Sequence, residues 1–271
     1  MNNLIIIPAY NVESKIKSVL DFLKCKKENV IVIDDGSADN TSQIVINENF
    51  RLIRHKKNMG LSQAINSGLE YAKVNGFERI VTIDADGQHD PEFIDEFISK
   101  LDLYDCVLGN RFFDISHVPS CKIASNLLAS LIFFSITGKK ITDVSCGYRG
   151  FKLASLTWQS IIDNFEVIYE QLYCILRQEI KCSIVNIPVI YPCDELHCTK
   201  INEIIGLLNV SIKYCGCQKS LMILRYMFDN IIEKKNFRVT IEGFEFYCFC
   251  IPHLNSYIFQ TELNKAKSFY E

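Results

Sequence analysis

Two aspartates separated by one residue, Asp84 and Asp86, directly follow an apolar run at 80–83. The run has the composition of a buried strand, and alternate residues of an extended chain point the same way, so both carboxylates can face one point. Like charges this close repel unless a cation lies between them, and hard divalent ions prefer such oxygen ligands. The spacing therefore predicts a site for Mg²⁺ or Mn²⁺ of the kind that holds a nucleotide diphosphate. A solvated acidic turn is the plainer alternative.

Polar residues also follow the other predicted strands of the first half of the chain. They are Asp34, Asp35, Asn110 and Arg111, and Pro8 ends the first apolar run at the corresponding place. Each comes directly after a short apolar run, and the carboxyl ends of parallel strands meet at one edge of a sheet, where ligands bind. We therefore expect these residues to converge with the aspartate pair on a single site.

Strand and helix signals alternate through the first half of the chain. Apolar runs predict strands at 4–7, 30–33, 51–55, 80–83 and 105–109. Helical spacing and start signals predict helices at 14–24, around 44–45, at 61–73 and after residue 90. Strands separated by single helices imply crossover connections and a largely parallel sheet. The predicted fold class is therefore α/β, with a mixed, mainly parallel, Rossmann-like sheet flanked by helices.

The pattern changes after residue 112. The segment 123–137 is apolar on nearly every side and has lysines at both ends. It suits either a helix lying in a membrane interface or a buried core helix, and both interpretations stay open. Beyond it the sequence predicts a strand within 143–152, a helix at 165–178, a strand at 183–190 and a helical stretch at 201–230. We divide the chain into a main domain at 1–200 and a mainly helical C-terminal extension at 201–271.

Composition and missing motifs exclude several classes of protein. The 271 residues are 48% hydrophobic and 23% charged with a net charge of −3. These values suit a globular protein and give no reason to expect a nucleic-acid partner. No strand is followed by G-x-G-x-x-G and no Walker P-loop is present, which argues against dinucleotide dehydrogenases and P-loop enzymes. A receiver-type signalling module is disfavoured because its acidic pair would follow the first strand, not the second.

The 12 cysteines are irregularly spaced. The start of the chain lacks basic residues and a long apolar stretch, and no run reaches the roughly 18 apolar residues of a membrane-spanning helix. We therefore expect a cytoplasmic protein with reduced thiols. A zinc site in the second half of the chain is a minor alternative, and its candidate ligands are Cys193, His197, Cys198, Cys215 and Cys217.

Six motifs in a fixed order carry a family resemblance. They lie at 7–11, 32–41, 58–61, 84–91, 109–111 and 143–151. The first five together resemble a family 2 glycosyltransferase of the GT-A fold. The sixth, Asp-Val-Ser-Cys-Gly-Tyr-Arg-Gly-Phe, is similar to the branch of dolichyl- and polyprenyl-phosphate mannosyl- and glucosyltransferases. The resemblance extends over residues 3–200.

The resemblance implies a role for each matching position. The nucleotide site would be lined by Pro8, Ala9, Tyr10, Asp35, Asp84 and Ala85. A divalent ion, Mg²⁺ or Mn²⁺, would be held by Asp84, Asp86 and Gln88. The catalytic residues would be Asp86, Arg111, Asp143 and Arg149. Both arginines would face phosphate, because a planar guanidinium binds phosphate oxygens in pairs.

The implied function is an inverting, metal-dependent hexosyltransferase. The donor would be a GDP- or UDP-linked sugar, and the acceptor a polyprenyl phosphate reached by a peripheral enzyme on the cytoplasmic membrane face. A lipid monophosphate is already anionic near pH 7 and needs no strong base. Two alternatives stay open: a saccharide hydroxyl acceptor with Asp143 as base, or a non-catalytic nucleotide-sugar-binding partner of another transferase. Many relatives continue into transmembrane helices, so a separate membrane subunit is a further expectation.

Overall fold

A computed structural model describes most of the main domain and a short part of the extension. The described residues are 2–116, 118, 122, 126, 129–130, 133–134, 137–156, 166–178, 180–188, 236–241 and 244–249. Their strands form a seven-stranded sheet and a two-stranded sheet.

The seven-stranded sheet is mainly parallel, which confirms the predicted fold class. Its strands are β1 (Asn3–Ala9), β2 (Val30–Asp34), β3 (Arg51–Arg54), β4 (Arg79–Thr82), β5 (Cys106–Asn110), β6 (Arg149–Lys152) and β7 (Cys182–Asn186). Their order across the sheet is β3-β2-β1-β4-β6-β5-β7. Every neighbouring pair is parallel except the two made by β6, which runs antiparallel between β4 and β5.

Helices cover both faces of this sheet. They are α1 (Glu13–Phe22), α2 (Thr41–Asn47), α3 (Leu61–Val74), α4 (Ile94–Lys100) and α5 (Glu166–Arg177). The predicted start signal before α4 is confirmed: Asp90 accepts a hydrogen bond from the N–H of Glu92, with Pro91 at the first position of a short 3₁₀ turn that leads into the helix. This cap satisfies a backbone donor that the turn itself cannot pair.

The core has two layers because the side chains of a strand alternate between its faces. On one face of β1, Ile5 and Ile7 pack in a cluster that includes apolar residues of α1. On the other face, Leu4 and Ile6 pack in a cluster that includes residues of α3. Strands buried on both faces must be apolar at nearly every position, and this requirement explains the uninterrupted apolar runs of the sequence.

The sheet changes direction of winding beside β1. The chain passes from β1 to β2 and β3 on one side, and β4 then pairs with the other side of β1. A crevice for ligands opens at the carboxyl ends of the strands at such a switch point. The pairing of Thr82 in β4 with Arg149 in β6 brings the preceding residues 143–148 to the same edge.

The apolar segment 123–137 contributes to the core. The described positions between 122 and 137 are helical. Two of them, Ala129 and Phe133, are buried in a cluster with Cys106 and Val144, and Phe133 is fully inaccessible. For the side of the segment that contains Ala129 and Phe133, these contacts support the interpretation as a buried core helix. Among the residues that the structure describes, no helix is long and apolar enough to cross a membrane.

The described part of the C-terminal extension is a β-hairpin. Its strands are β8 (Asn236–Ile241) and β9 (Phe244–Phe249), which pair in antiparallel register. The predicted helical stretch at 201–230 and the five candidate zinc ligands between 193 and 217 lie outside the described residues. The domain boundary at residue 200 stays a prediction.

Candidate active site

The aspartate pair lies at the carboxyl end of β4, beside the switch point. Ile83 still donates its N–H to the carbonyl of Ile6 in β1 at 3.2 Å, and the chain then turns. Gly87 adopts a φ of 73° in this turn, and the N–H of Gln88 donates to Oδ1 of Asp86 at 3.0 Å. The turn therefore holds the Asp86 carboxylate against its own backbone. The role of the Gln88 side chain as a metal ligand stays a prediction.

Both carboxylates of the pair are costly to ionise. Burial raises the pKa of Asp84, against the opposing effect of the positive charges on Arg111 and Arg149. Burial also raises the pKa of Asp86, and the neighbouring charge of Asp84 adds to the increase. A divalent cation would relieve both penalties, so two hard oxygen donors here fit Mg²⁺ or Mn²⁺. Among the described residues, no group of three or more His, Cys, Asp or Glu side chains could hold a metal ion by itself.

The Asp84 carboxylate packs directly against the backbone of Gly147. A Cβ atom at this position would lie 2.6 Å from Oδ1 and 2.8 Å from Oδ2 of Asp84. The loop that contains Gly147 is held in place from β4, because the hydroxyl of Thr82 donates to the Gly147 carbonyl at 2.7 Å. In the sequence this glycine is one position of the motif at 143–151, and the motif alone predicted no role for it. Only the pairing of β6 with β4 brings it beneath the aspartate.

His89 lies next to the same turn and was not among the predicted site residues. Its ring is 1% exposed, with Nδ1 3.4 Å from the backbone nitrogen of Asp84 and Nε2 3.8 Å from Sγ of Cys146. Burial, followed by the positive charge of Arg111, lowers the pKa of His89 to about 4. A neutral ring can accept the N–H of Asp84 at Nδ1, and this contact orients the backbone that carries the carboxylate.

Arg111 and Asp143 form a two-point ion pair. Nε and Nη2 of Arg111 donate to the two carboxylate oxygens at 2.8 and 2.9 Å, and the backbone N–H of Arg111 adds a third bond at 3.0 Å. Nη2 also donates to the hydroxyl of Ser145 at 2.8 Å. Burial alone would raise the pKa of Asp143, but the charge and the donors of Arg111 outweigh it and leave the pKa below its ordinary value. An acid this strong, with both oxygens occupied, is poorly suited to act as a general base.

Arg149 is buried among protein acceptors. Its side chain is 2% exposed, and the guanidinium donates to the carbonyls of Ile168 and Val144 at 2.7 and 3.1 Å and to Oε1 of Gln171 at 2.9 Å. Arg149 and Phe151 are alternate residues of β6 and therefore share the face that packs toward α5. The expectation was a guanidinium that faces phosphate; here the guanidinium donates to protein acceptors. Its positive charge acts on Asp84 by opposing the rise in pKa that burial causes.

The residues expected to line the nucleotide site differ in how far they are exposed. Pro8, Ala9 and Ala85 are buried, whereas Tyr10 is 47% exposed at the end of β1. Asp35 is 3% exposed, and its carboxylate accepts hydrogen bonds from neighbouring protein groups. Tyr10 is therefore placed where a ligand could contact it, while the Asp35 carboxylate binds the backbone of the loop that follows β3. A nucleotide-binding role for all five stays a prediction.

The loops after β1 and β2 are joined by side-chain hydrogen bonds. Asn11, with a φ of 52°, donates its N–H to the hydroxyl of Ser37 and accepts from the N–H of Ala38, both at 2.9 Å. Oε2 of Glu13 accepts from the N–H and the side-chain amide of Asn40, also at 2.9 Å. The loop after β2 is thus joined to the loop after β1 and to the start of α1 beside Tyr10, and no sequence pattern predicted a site role for Glu13.

Comparisons with known proteins agree on one family. The sequence model of the family described as glycosyl transferase family 2 matches residues 4–157 of this chain. UDP-N-acetylglucosamine–dolichyl-phosphate N-acetylglucosaminyltransferase of Methanococcus voltae is 33% identical over 213 residues, which cover 69% of this chain and 85% of the relative. Polyprenol monophosphomannose synthase of Mycolicibacterium smegmatis is 23% identical over 196 residues, which cover 61% of this chain and 74% of the relative.

A solved structure shares the fold. Glucosyl-3-phosphoglycerate synthase from Mycobacterium tuberculosis, in complex with Mn²⁺, uridine diphosphate and phosphoglyceric acid, superposes with a TM-score of 0.62. The superposition covers 79% of this chain and 78% of that chain at 16% sequence identity. At this identity the likeness concerns the fold alone.

Proposed function

The chain belongs to glycosyl transferase family 2, and from this premise we propose that it is an inverting hexosyltransferase with a polyprenyl phosphate acceptor. The donor is a GDP- or UDP-linked sugar. Transfer takes place at the cytoplasmic membrane face, where the enzyme is held peripherally or by a separate membrane subunit. The names of the two curated relatives support the acceptor class.

The observation that carries this proposal is the state of Asp143. A sugar hydroxyl acceptor needs a general base to remove its proton, and Asp143 is the sequence-predicted candidate. Its carboxylate is fully buried, accepts three hydrogen bonds from Arg111 and has a lowered pKa. A phosphate monoester is already ionised near neutral pH and attacks without such help. The occupied carboxylate therefore favours a phosphate acceptor over a hydroxyl acceptor.

The other site residues bind and orient the phosphate groups of the two substrates. Asp84 and Asp86 would hold Mg²⁺ or Mn²⁺, which supplies positive charge for the departing nucleoside diphosphate. Arg111, kept in one orientation by Asp143 and Ser145, offers a second fixed positive charge to phosphate oxygens. In the transfer, an acceptor oxygen bonds to the anomeric carbon from the face opposite the diphosphate as the old glycosidic bond breaks. This geometry inverts the configuration at that carbon.

The test is a transfer assay with purified protein and Mn²⁺. GDP- and UDP-linked hexoses are each supplied with a short polyprenyl phosphate, with the corresponding free polyprenol, or with an oligosaccharide. Asp86→Asn removes one charge of the proposed metal pair, and Asp95→Asn is its matched control, because Asp95 is an exposed residue that pairs with Lys26 on the surface.

We expect product with the lipid phosphate only, at least a hundredfold less product with Asp86→Asn, and an unchanged rate with Asp95→Asn. Transfer to the free polyprenol or the oligosaccharide in preference to the lipid phosphate would establish the hydroxyl-acceptor alternative. Metal-dependent nucleotide binding without turnover on any acceptor would establish a non-catalytic binding partner instead.

A further inference from the structure

Five groups form a continuous hydrogen-bonded network that includes the loop following β3. The hydroxyl of Ser67 in α3 lies 2.9 Å from Nε2 of His55, and Nδ1 of His55 lies 2.7 Å from Oδ1 of Asp35. Oδ1 also accepts the N–H of Met59 at 2.9 Å, and Oδ2 accepts the N–H of Gly60 at 2.8 Å. The His55 and Asp35 side chains are 9% and 5% exposed. These buried hydrogen bonds therefore connect α3 to the backbone of the loop after β3.

The chemistry of the groups determines where the protons lie. A carboxylate only accepts, so Nδ1 of His55 carries a hydrogen and donates it to Asp35. Nε2 of a neutral ring is then the acceptor for the hydroxyl of Ser67. The same three residue types occur in hydrolase triads, but Ser67 lies inside α3, not on the sharp turn that presents such a nucleophile. A supporting role is therefore the one that this arrangement fits.

The supported loop borders the nucleotide side of the site. The backbone N–H of Asp35 donates to the carbonyl of Ala9 at 2.8 Å, next to Tyr10. Gly36 packs so closely against the loop that a Cβ there would lie 2.4 Å from the carbonyl carbon of Lys57. The loops after β1, β2 and β3 are therefore in direct contact at the carboxyl edge of the sheet. Because these loops contact one another, a displacement of the loop after β3 would also displace the residues next to Tyr10.

The geometry points to His55 as a positioning residue of the nucleotide site. It holds the Asp35 carboxylate, and that carboxylate holds the backbone of Met59 and Gly60. Asp35, predicted from the sequence as a contact to the nucleotide, acts through this loop. The inference rests on the proposed function for the identity of the ligand, a nucleoside diphosphate. Met59 is 44% exposed on the supported loop, so a ligand can reach its side chain.

The test compares three variants of the full chain by calorimetric titration with UDP and GDP in the presence of Mn²⁺. His55→Leu keeps the volume and removes both hydrogen bonds, whereas His55→Asn keeps a donor near the position of Nδ1. Ile65→Val is the control for general destabilisation, because Ile65 is a buried residue of α3 that faces the core. Hydrogen exchange at the amides of Met59 and Gly60, donor KM, acceptor KM and thermal unfolding are measured alongside.

We expect His55→Leu to weaken nucleotide binding and raise donor KM about tenfold, the loss of roughly one buried hydrogen bond to a charged group. The acceptor KM should not change, the two amides should exchange faster, and His55→Asn should recover most of the binding. Wild-type nucleotide affinity in His55→Leu, whatever its melting temperature, would overturn the inference and leave the proposed function standing. A wild type that binds nucleotide through this loop but transfers no sugar would sustain the inference and overturn the proposed function. A wild type that binds neither UDP nor GDP would overturn both.

Discussion

Gly147→Ala should impair catalysis without impairing folding. The added Cβ would lie 2.6 Å from Oδ1 of Asp84, whereas ordinary contact begins at 3.4 Å, so the carboxylate must retreat by about 0.8 Å. Gly147 does not have a positive φ, so alanine brings no backbone strain. The obstructed atoms are the end of a side chain that can rotate, and we expect the free energy of unfolding to change by less than about 1 kcal/mol.

The cost should fall on the reaction. A displacement approaching 1 Å in a group that orients the reacting atoms can reduce the rate about a hundredfold. We therefore expect kcat/KM of sugar transfer to fall by about this factor in Gly147→Ala, with a higher Mn²⁺ concentration needed for half-maximal rate. The assay is steady-state transfer to a short polyprenyl phosphate over a range of Mn²⁺ concentrations, together with urea unfolding.

Gly150→Ala is the matched control. It lies three residues further along, and its Cβ would approach Leu101 at 3.3 Å and Phe97 at 3.4 Å in the core, away from the aspartate. This variant should alter stability more than activity. Wild-type kcat/KM and an unchanged Mn²⁺ requirement in Gly147→Ala would show that the position of the Asp84 carboxylate does not govern transfer, and the argument from the close contact would fail.

Three further predictions concern stability. Gly36→Ala should lose about 3 kcal/mol in urea unfolding, because Gly36 has a φ of +73° and its Cβ would meet the Lys57 backbone; a loss below about 1 kcal/mol would contradict this. Asp143→Asn should cost about 3 kcal/mol at pH 7, because it removes the buried negative charge that pairs with Arg111. Because the folded pKa of Asp143 is lowered, that difference should shrink as pH falls below about 4, and an acid titration of unfolding that shows no narrowing would refute it. Tyr148→Phe should leave stability unchanged or raise it by about 1 kcal/mol, since the buried hydroxyl has no partner among the described residues; a clear loss would count against this.

Local patterns were sufficient to predict most elements of the main domain. The strand predicted at 80–83 is β4 at Arg79–Thr82, and the helix predicted at 61–73 is α3 at Leu61–Val74. These predictions succeed because strand and helix periodicity, caps and turn residues act over a few neighbouring positions. The position of the aspartate pair at the end of a strand is equally local. The antiparallel placement of β6 between β4 and β5 is not, because it depends on pairing across about seventy residues of chain.

Which groups the charged side chains bind could be seen only in the tertiary structure. The position of Asp35 after a predicted strand, and the family resemblance in the case of Asp143 and Arg149, predicted that all three residues belong to a ligand site. In the structure Asp35 holds a loop, Asp143 holds Arg111, and Arg149 is buried on protein carbonyls. A charge takes whichever opposite charge or dipole the fold brings within hydrogen-bond distance, and those groups lie 5 to 34 residues away along the chain. Residue type and spacing therefore determine where chemistry can occur, and three-dimensional packing determines which charges remain for the substrate.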